Sequence, residues 1–250
     1  MTVVGVIPAR YASTRFPGKP LAVIAGKPMV QHVWERATRA RRLDRVVVAT
    51  DDPRIGELCR SLGIDVEMTS DAHATGTDRI AEVAERGLGD FYVNVQGDEP
   101  LIDPDAIDIC VDCLMGGLGR GIDVATVYVE GASEEQERSS ASVQLVPTID
   151  GRVMALSRLP IPSAFKAPYR RAVHVGLYAF GRAALARFAG RARGPVEAAE
   201  SIELLRFLEY GDPIACGPIP PGSIGVDYPE DVARVEAILR SATLHDMGSL

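Results

Sequence analysis

The first half of the chain alternates between short strand-like runs and segments with helical periodicity, and this alternation limits the folds it can adopt. The strand-like runs lie at 3–7, 45–50, 64–68, 91–96 and 124–129. The first, VVGVI, is apolar throughout, which is typical of a strand buried on both faces. The segments between the runs have helical spacing, and Pro28 and Pro53 suit helix starts. The pattern predicts an α/β domain with a parallel sheet covered by helices on both faces.

The rhythm changes after residue 130. Residues 142–158 predict two short strands joined by a turn at Asp150-Gly151, and 172–180 predicts another strand. We therefore expect a single domain in three parts: 1–130, which carries most of the candidate site, an antiparallel appendage at 131–190, and a return to the main sheet at 191–250. The last part contains a predicted helix at 197–211 and a terminal helix from Pro229.

Composition excludes several classes of protein. Hydrophobic residues make up 46% of the 250 residues and charged residues 24%, as in ordinary globular enzymes. We find no apolar stretch of membrane-spanning length and no signal peptide, so we expect a cytoplasmic protein without a membrane partner. The net charge of -7 argues against a nucleic-acid partner. Cys110 and Cys113 have CxxC spacing, but no second pair accompanies them, which favours buried thiols on a helix over zinc.

The loop after the first run, within GVIPARYASTRFPGKPL, has the composition of a phosphate site. Ligands of such sheets bind at the carboxyl ends of the strands. Arg10, Arg15 and Lys19 can neutralise a triphosphate there, and Ser13 and Thr14 can donate hydroxyl hydrogen bonds. The alternative is a solvated basic loop. Neither GxxxxGK[ST] nor GxGxxG occurs in the chain, which disfavours a P-loop kinase and a dinucleotide-dependent dehydrogenase.

Two carboxylates are candidates for a Mg²⁺ site. Asp98 follows a buried strand in VNVQGDEP, and Asp227 lies in a tight turn in SIGVDYPEDVARV. Mg²⁺ prefers oxygen ligands and retains phosphate partners, so two carboxylates beside a triphosphate suit it. The alternative for Asp227 is a plain helix N-cap. In a further stretch, HATGTDRIAEV, Thr77 or Asp78 can cap a helix. Thr75, Gly76 and Arg79 in the same stretch can contact a base or ribose.

The chain closely resembles the CMP-KDO synthetases, the 3-deoxy-manno-octulosonate cytidylyltransferases. The resemblance runs essentially end to end and is carried by IPARYASTRFPGKPL, HATGTDRIAEV, VNVQGDEP and SIGVDYPEDVARV, in that order. It implies a Rossmann-like nucleotidyltransferase fold with a mixed, mainly parallel sheet, and a homodimer formed through the antiparallel appendage, which also holds the acceptor. It also implies CTP and a small acidic acceptor as substrates, Mg²⁺ as cofactor, transfer of CMP and release of pyrophosphate.

The resemblance also assigns roles to residues. The residues implied to bind CTP are Ala9, Arg10, Ser13, Arg15, Lys19, Thr75, Arg79, Gln96 and Asp98. The residues implied to bind the acceptor are Arg15, Gln96, Arg158, His174, Glu200 and Glu203. Arg15, Lys19, Asp98 and Asp227 would carry catalysis, and the two aspartates would hold Mg²⁺. His174 lies in an apolar strand, so a hydrogen-bonded core histidine is an equal alternative.

The departures from the family pattern lie in the second half. Gln144, Val173 and Leu204 stand where the family has a lysine, a basic residue and a glutamine, and IPSAFKAP lacks the usual aromatic residue and Arg-Asp pair. Loss of polar partners weakens recognition of a polyhydroxy acid. A second hypothesis is therefore CMP transfer to a different acceptor, such as a small phosphonate of the phosphonoformate type. Two rival hypotheses are a catalytically inactive nucleotide-binding protein and a sugar-1-phosphate nucleotidyltransferase that uses UTP or GTP.

Overall fold

The computed structural model describes residues 1–13, 15–131, 133–139, 141–222 and 225–247. The strands are β1 (Val3–Pro8), β2 (Val23–Ile24), β3 (Lys27–Pro28), β4 (Arg45–Thr50), β5 (Val66–Met68), β6 (Phe91–Val95), β7 (Val124–Glu130), β8 (Gln144–Pro147), β9 (Val153–Ser157), β10 (Ala172–Gly181) and β11 (Ala215–Ile219). The helices are α1 (Met29–Ala37), α2 (Pro53–Ser61), α3 (Gly76–Glu85), α4 (Pro104–Leu118), α5 (Glu134–Arg138), α6 (Arg182–Ala189), α7 (Pro195–Glu200), α8 (Leu204–Glu209) and α9 (Asp231–Met247). A 3-10 turn spans Lys19–Leu21.

The main sheet is mixed and mainly parallel, as predicted. Its strand order is β11-β7-β10-β6-β1-β4-β5. The strand β1 runs parallel to both β4 and β6, and β7 runs parallel to β11. The strand β10 runs antiparallel between β6 and β7. The carboxyl ends of β6, β1 and β4 therefore meet at one edge of the sheet, and the first half of β10 reaches the same edge.

The antiparallel appendage is shorter than the predicted 131–190. The strand β10 falls within that range but is a central strand of the main sheet. The second half of β10, Leu177 to Phe180, is almost fully buried, which explains its central position. A run apolar on both faces needs cover on both sides, and the middle of a sheet supplies it. The predicted hairpin is confirmed: β8 pairs with β9 around Gly151, whose φ is +76°, and β8 continues onto the start of β10.

Two apolar layers cover the faces of the sheet. One contains residues of α1, α2 and α4, and the other contains residues of α3, α6 and α8. The prediction for the CxxC pair is confirmed, since Cys110 is buried and Cys113 half-buried on α4, and neither is in a disulfide. Burial raises the pKa of the Cys110 thiol well above its ordinary value. Among the described residues, we find no helix both long and apolar enough to cross a bilayer.

The C-terminal part differs from prediction in two places. The helix expected at 197–211 is interrupted, because Ser201 adopts a left-handed conformation with φ of +52° between α7 and α8. The terminal helix begins at Asp231 instead of Pro229. A third apolar cluster packs Val226 and Val235 against Ile24, Met29 and Leu101. This packing returns the end of the chain to the loop that follows β1.

Candidate active site

A cleft of about 540 Å³ opens at the carboxyl ends of β1 and β6. The nine residues predicted to bind the nucleotide all line it: Ala9, Arg10, Ser13, Arg15, Lys19, Thr75, Arg79, Gln96 and Asp98. Arg158 and Glu203, predicted for the acceptor, line it as well. Thr14 lies outside the described residues. The fold thus brings together residues from five separate stretches of the chain, as expected from the strand ends.

The loop after β1 is folded back on itself. The amide of Gly18 donates to the carbonyl of Tyr11 at 2.9 Å, and the guanidinium carbon of Arg54 lies 3.3 Å from the centre of the Tyr11 ring. Gly18 has φ of +72°, a conformation that glycine adopts without steric cost. The closed loop directs Arg10, Arg15 and Lys19 into one cleft.

The loop after β6 is in close contact with the end of β1. A Cβ atom at Gly97 would lie 2.7 Å from the carbonyl oxygen of Pro8, so only glycine fits there without a shift. This approach places Asp98 beside Lys19. A Cβ atom at Gly176 would lie 3.1 Å from the side chain of Gln96. The absence of a side chain at Gly176 therefore lets Gln96 pack closely against β10.

Two cations and two carboxylates form one cluster at the cleft. The ammonium of Lys19 lies 2.7 Å from Oδ2 of Asp98 and 4.0 Å from Oδ1 of Asp227, and it donates to the carbonyl of Val226 at 2.9 Å. Arg15 contacts Oδ1 of Asp227 at 3.0 Å. Arg15 and Lys19, which could bind phosphate, therefore each face a carboxylate that could bind metal.

Asp227 reaches this cluster from the far end of the sequence through backbone contacts. The amide of Val226 donates to the carbonyl of Asp98 at 2.8 Å. The alternative interpretation of Asp227 as a helix N-cap is wrong. Its own amide and that of Tyr228 donate to the carboxylate of Asp231, each at 2.9 Å, which leaves the side chain of Asp227 facing Arg15. Ser223 and Ile224 of this motif lie outside the described residues.

The donor set fits Mg²⁺ bound together with a nucleotide. Asp98 and Asp227 both contact Lys19, so their oxygens converge on one small volume. In the described part of the chain, no group of three or more His, Cys, Asp or Glu side chains is arranged for a metal. Two carboxylates with further oxygens from phosphates are a usual arrangement for Mg²⁺.

The start of α3 contributes a rigid side of the cleft. Thr75 is the N-cap, and its hydroxyl accepts from the amide of Asp78 at 3.1 Å in a capping box. The expectation that Thr77 or Asp78 caps this helix therefore needs correcting, although Asp78 takes part. Arg79 is buried and pairs with Asp51 at 2.8 Å, so part of its charge is already compensated. Burial, opposed by this pairing, lowers the pKa of Arg79.

His174 is a predicted acceptor residue that does not line the cleft. Its side chain is 8% exposed, stacks on Tyr178 with ring centres 5.4 Å apart, and lies 2.9 Å from Oγ1 of Thr126 through Nε2. That hydroxyl donates its proton to the carbonyl of Leu177, so it accepts from His174, which fixes the Nε2–H tautomer. Burial lowers the pKa of His174 to about 4. The core-histidine alternative is therefore the one that the geometry supports.

The glutamates of the acceptor side have different positions. Glu203 lines the cleft and accepts from the amide of Thr77 at 2.9 Å; burial raises its pKa, against the effect of this hydrogen bond. Glu200 does not line the cleft. Its carboxylate accepts from the hydroxyl of Ser157 at 3.1 Å and the amide of Arg158 at 2.9 Å, so it holds the strand end that carries Arg158.

Three of the four departures from the family pattern fall on buried positions, whereas the segment 161–168 is mostly exposed. Gln144, Val173 and Leu204 are 0%, 8% and 1% exposed, and the cleft lining does not include them. Gln144 donates to the carbonyl of Gln136 at 3.4 Å. These changes therefore alter the packing behind the acceptor side and leave the cleft wall itself polar.

Several lining residues were absent from the predicted site, among them Arg193, Glu197 and Ser201. Glu197 is 1% exposed and forms two contacts of 2.8 Å with Arg206. No local motif marks Arg193 or Ser201. They reach the cleft because the helix break at Ser201 turns the chain toward it.

A strand-end cleft lined by a cationic loop, with two carboxylates paired to the cations of that loop, on a mixed α/β sheet, is the arrangement of a nucleotidyltransferase. A family model described as "Cytidylyltransferase" matches residues 4–214. The chain belongs to the cytidylyltransferase family and is a nucleotidyltransferase.

Named relatives agree with this assignment. The chain is 44% identical to a 3-deoxy-manno-octulosonate cytidylyltransferase of Myxococcus xanthus over 245 residues, covering 95% of this chain and 96% of the relative. It is also 44% identical to the enzyme of that name from Geobacter metallireducens, covering 94% and 96%. A solved structure of CMP:2-keto-3-deoxy-manno-octonic acid synthetase complexed with CTP matches with a TM-score of 0.90 and 36% identity, covering 97% of this chain and all of that one.

Proposed function

We propose that this cytidylyltransferase transfers CMP from CTP to a 3-deoxy-manno-octulosonate-type sugar acid with release of pyrophosphate. The observation that carries the proposal is the cluster in which Lys19 and Arg15 face Asp98 and Asp227 at the cleft. The cluster combines phosphate-binding and metal-binding groups in one place. The nucleotide and the acceptor come from the names of relatives that match over nearly the whole chain.

The cationic loop binds the triphosphate in this proposal. Arg10, Arg15, Ser13 and Lys19 line the cleft and supply guanidinium, hydroxyl and ammonium donors. Asp98 and Asp227 would hold Mg²⁺, which when bound reduces the negative charge that an attacking oxygen meets. Arg15 and Lys19 now contact those carboxylates, so they exchange them for phosphate oxygens when the substrate complex forms.

The reaction is an in-line displacement. The hydroxyl oxygen of the acceptor forms a bond to the α-phosphorus of CTP and gives up its proton to solvent. The bond between the α-phosphorus and the oxygen that bridges to the β-phosphate breaks, and pyrophosphate leaves with the electron pair. Arg15 and Lys19 stabilise the charge that develops on the leaving group. Gln96 and Arg158, which line the cleft with Glu203, orient the acceptor.

The test is pyrophosphate release with CTP, Mg²⁺ and a panel of acceptors. The panel contains 3-deoxy-manno-octulosonate, its 8-amino analogue, another ulosonic acid and a small phosphonate, with UTP and GTP as competing donors. We expect rapid turnover with CTP and 3-deoxy-manno-octulosonate and little with UTP or GTP. Faster turnover of the phosphonate would support the alternative acceptor, and no release with any acid would contradict the transferase proposal.

A homodimer is part of the same proposal. Large apolar side chains are exposed on the β8–β9 hairpin and the loop after it: Ile149, Met154, Leu159 and Phe165. Such a patch suits an interface. Light scattering should give a dimer for the wild type and a monomer for a Met154→Lys, Phe165→Glu double variant, whereas a wild-type monomer would contradict the proposal.

A further inference from the structure

Arg193 lines the cleft but lies outside the triphosphate loop. It belongs to the connection between α6 and α7, and its side chain is 47% exposed. It lines the cleft together with Arg158, which follows β9. Neither arginine belongs to the loop that faces the metal-binding carboxylates, so this pair supplies positive charge to a second part of the cleft.

The two guanidinium groups converge on Ser201. Nη2 of Arg158 donates to the carbonyl of Ser201 at 3.2 Å, and Nη2 of Arg193 donates to the hydroxyl of the same residue at 3.4 Å. The left-handed backbone of Ser201, with φ of +52°, presents both oxygens at the helix break. Both guanidinium groups thus contact the same residue, and an anion bound beside them would reduce the repulsion between their charges.

The carboxylate beside Arg193 does not fully compensate its charge. Glu197 lies 3.7 Å from Nε of Arg193, but both of its oxygens form contacts of 2.8 Å with Arg206. One buried carboxylate therefore serves two guanidinium groups, and its short contacts go to Arg206. Arg193 retains positive charge toward the open cleft.

The family resemblance already implies that Arg158 binds the acceptor. We propose that Arg193 joins it in an anion subsite for the acceptor carboxylate, and that Arg193 sets the preference for acidic over neutral acceptors. The inference rests on the proposed function, since it concerns the acceptor of that reaction. A planar guanidinium binds a carboxylate through paired N–H donors. In the proposed function the triphosphate contacts Arg10, Arg15 and Lys19, whereas Arg158 and Arg193 line the same cleft from other stretches of the chain.

The experiment compares Arg193→Gln, Arg193→Lys and the wild type by pyrophosphate release with CTP and 3-deoxy-manno-octulosonate. Loss of a charged hydrogen-bond partner should raise the KM for the acid by about tenfold to a hundredfold, with the KM for CTP unchanged. Arg193→Lys should recover part of the affinity. Arg191→Gln is the matched control, because Arg191 lies in the same connection but contacts Asp212 at 2.6 Å and Tyr210. It should leave both KM values unchanged.

Calorimetric titration separates this inference from the proposed function. The wild type should bind the acid more tightly than its carboxamide, and Arg193→Gln should bind the two equally. If Arg193→Gln weakens both equally, or leaves the affinity for the acid unchanged, the inference is overturned while the transferase proposal stands. If the acid binds in an Arg193-dependent manner but no pyrophosphate is released, the transferase proposal fails and the subsite stands. A wild type that binds none of the acids contradicts both.

Discussion

Acidification should destabilise this protein through one buried histidine, His174, as the pH falls from about 6.5 towards 4. His174 is 8% exposed and is held neutral as the Nε2–H tautomer by the Thr126 hydroxyl. The pKa of its imidazole is lowered from 6.5 to about 4 because burial disfavours the charged ring. In the unfolded chain the same ring takes up a proton near its ordinary pKa.

The sign and size of the effect follow from this difference. Since the folded pKa is the lower one, the unfolded state binds the proton first as the pH falls, and the free energy of unfolding decreases. The contribution is complete above pH 6.5 and is lost progressively down to about pH 4. The full decrease in the free energy of unfolding is about 3 kcal/mol, and about 2 kcal/mol of it occurs between pH 7 and pH 5.

The assay is urea unfolding of the wild type and His174→Gln at pH 7 and pH 5. Glutamine keeps a donor toward Thr126 but does not titrate, so the free energy of unfolding of the variant should change by about 2 kcal/mol less over this interval. Other groups contribute equally to both proteins and cancel in the difference. Equal losses for the two proteins would refute the description of His174 as a buried neutral core group. A large rise in the acceptor KM of His174→Gln at unchanged stability would favour its role as an acceptor ligand.

Three further predictions concern the cleft and its support. Asp227→Asn should lower kcat by about a hundredfold or more while thermal unfolding stays within a few degrees of the wild type, and unchanged turnover would contradict its assignment to the metal site. Gly97→Ala should destabilise the fold by about 1–3 kcal/mol in urea unfolding and raise the KM for CTP, because its Cβ would lie 2.7 Å from the Pro8 carbonyl. Glu197→Gln should lower the free energy of unfolding in urea by about 3 kcal/mol, since Arg206 would lose its buried charge partner. A decrease below about 1 kcal/mol would show that Asp78 alone compensates the charge of Arg206.

The cluster around Lys19 has a consequence for how substrates bind. In the free protein, Lys19 and Arg15 neutralise Asp98 and Asp227, so four charges are balanced within a small volume. Binding of a triphosphate alone would remove the cations from these carboxylates, and binding of a cation alone would displace Lys19 and Arg15. Each event therefore favours the other, and we expect nucleotide affinity to rise with the Mg²⁺ concentration.

The sequence alone determined the parts of the molecule that depend on local pattern. The apolar run at 3–7 can only be buried on both faces, and the loop after it concentrates Arg10, Arg15 and Lys19 within ten residues. The hairpin at Gly151 follows from its turn chemistry, and the CxxC pair follows from its helical setting. Because strand ends meet at one edge of a parallel sheet, the sequence pattern also predicts Asp98 beside that loop.

Tertiary contacts decided the rest. The position of β10 inside the sheet depends on burial of both its faces by distant helices, and that position takes His174 into the core. The helix break at Ser201 and the approach of Asp227 to Lys19 depend on packing between segments far apart in the chain. Arg193 carries no local signal, and only the path of the backbone around Ser201 brings its guanidinium to the cleft. Side-chain periodicity records which face of an element is buried, but it does not record which residues from other elements lie opposite.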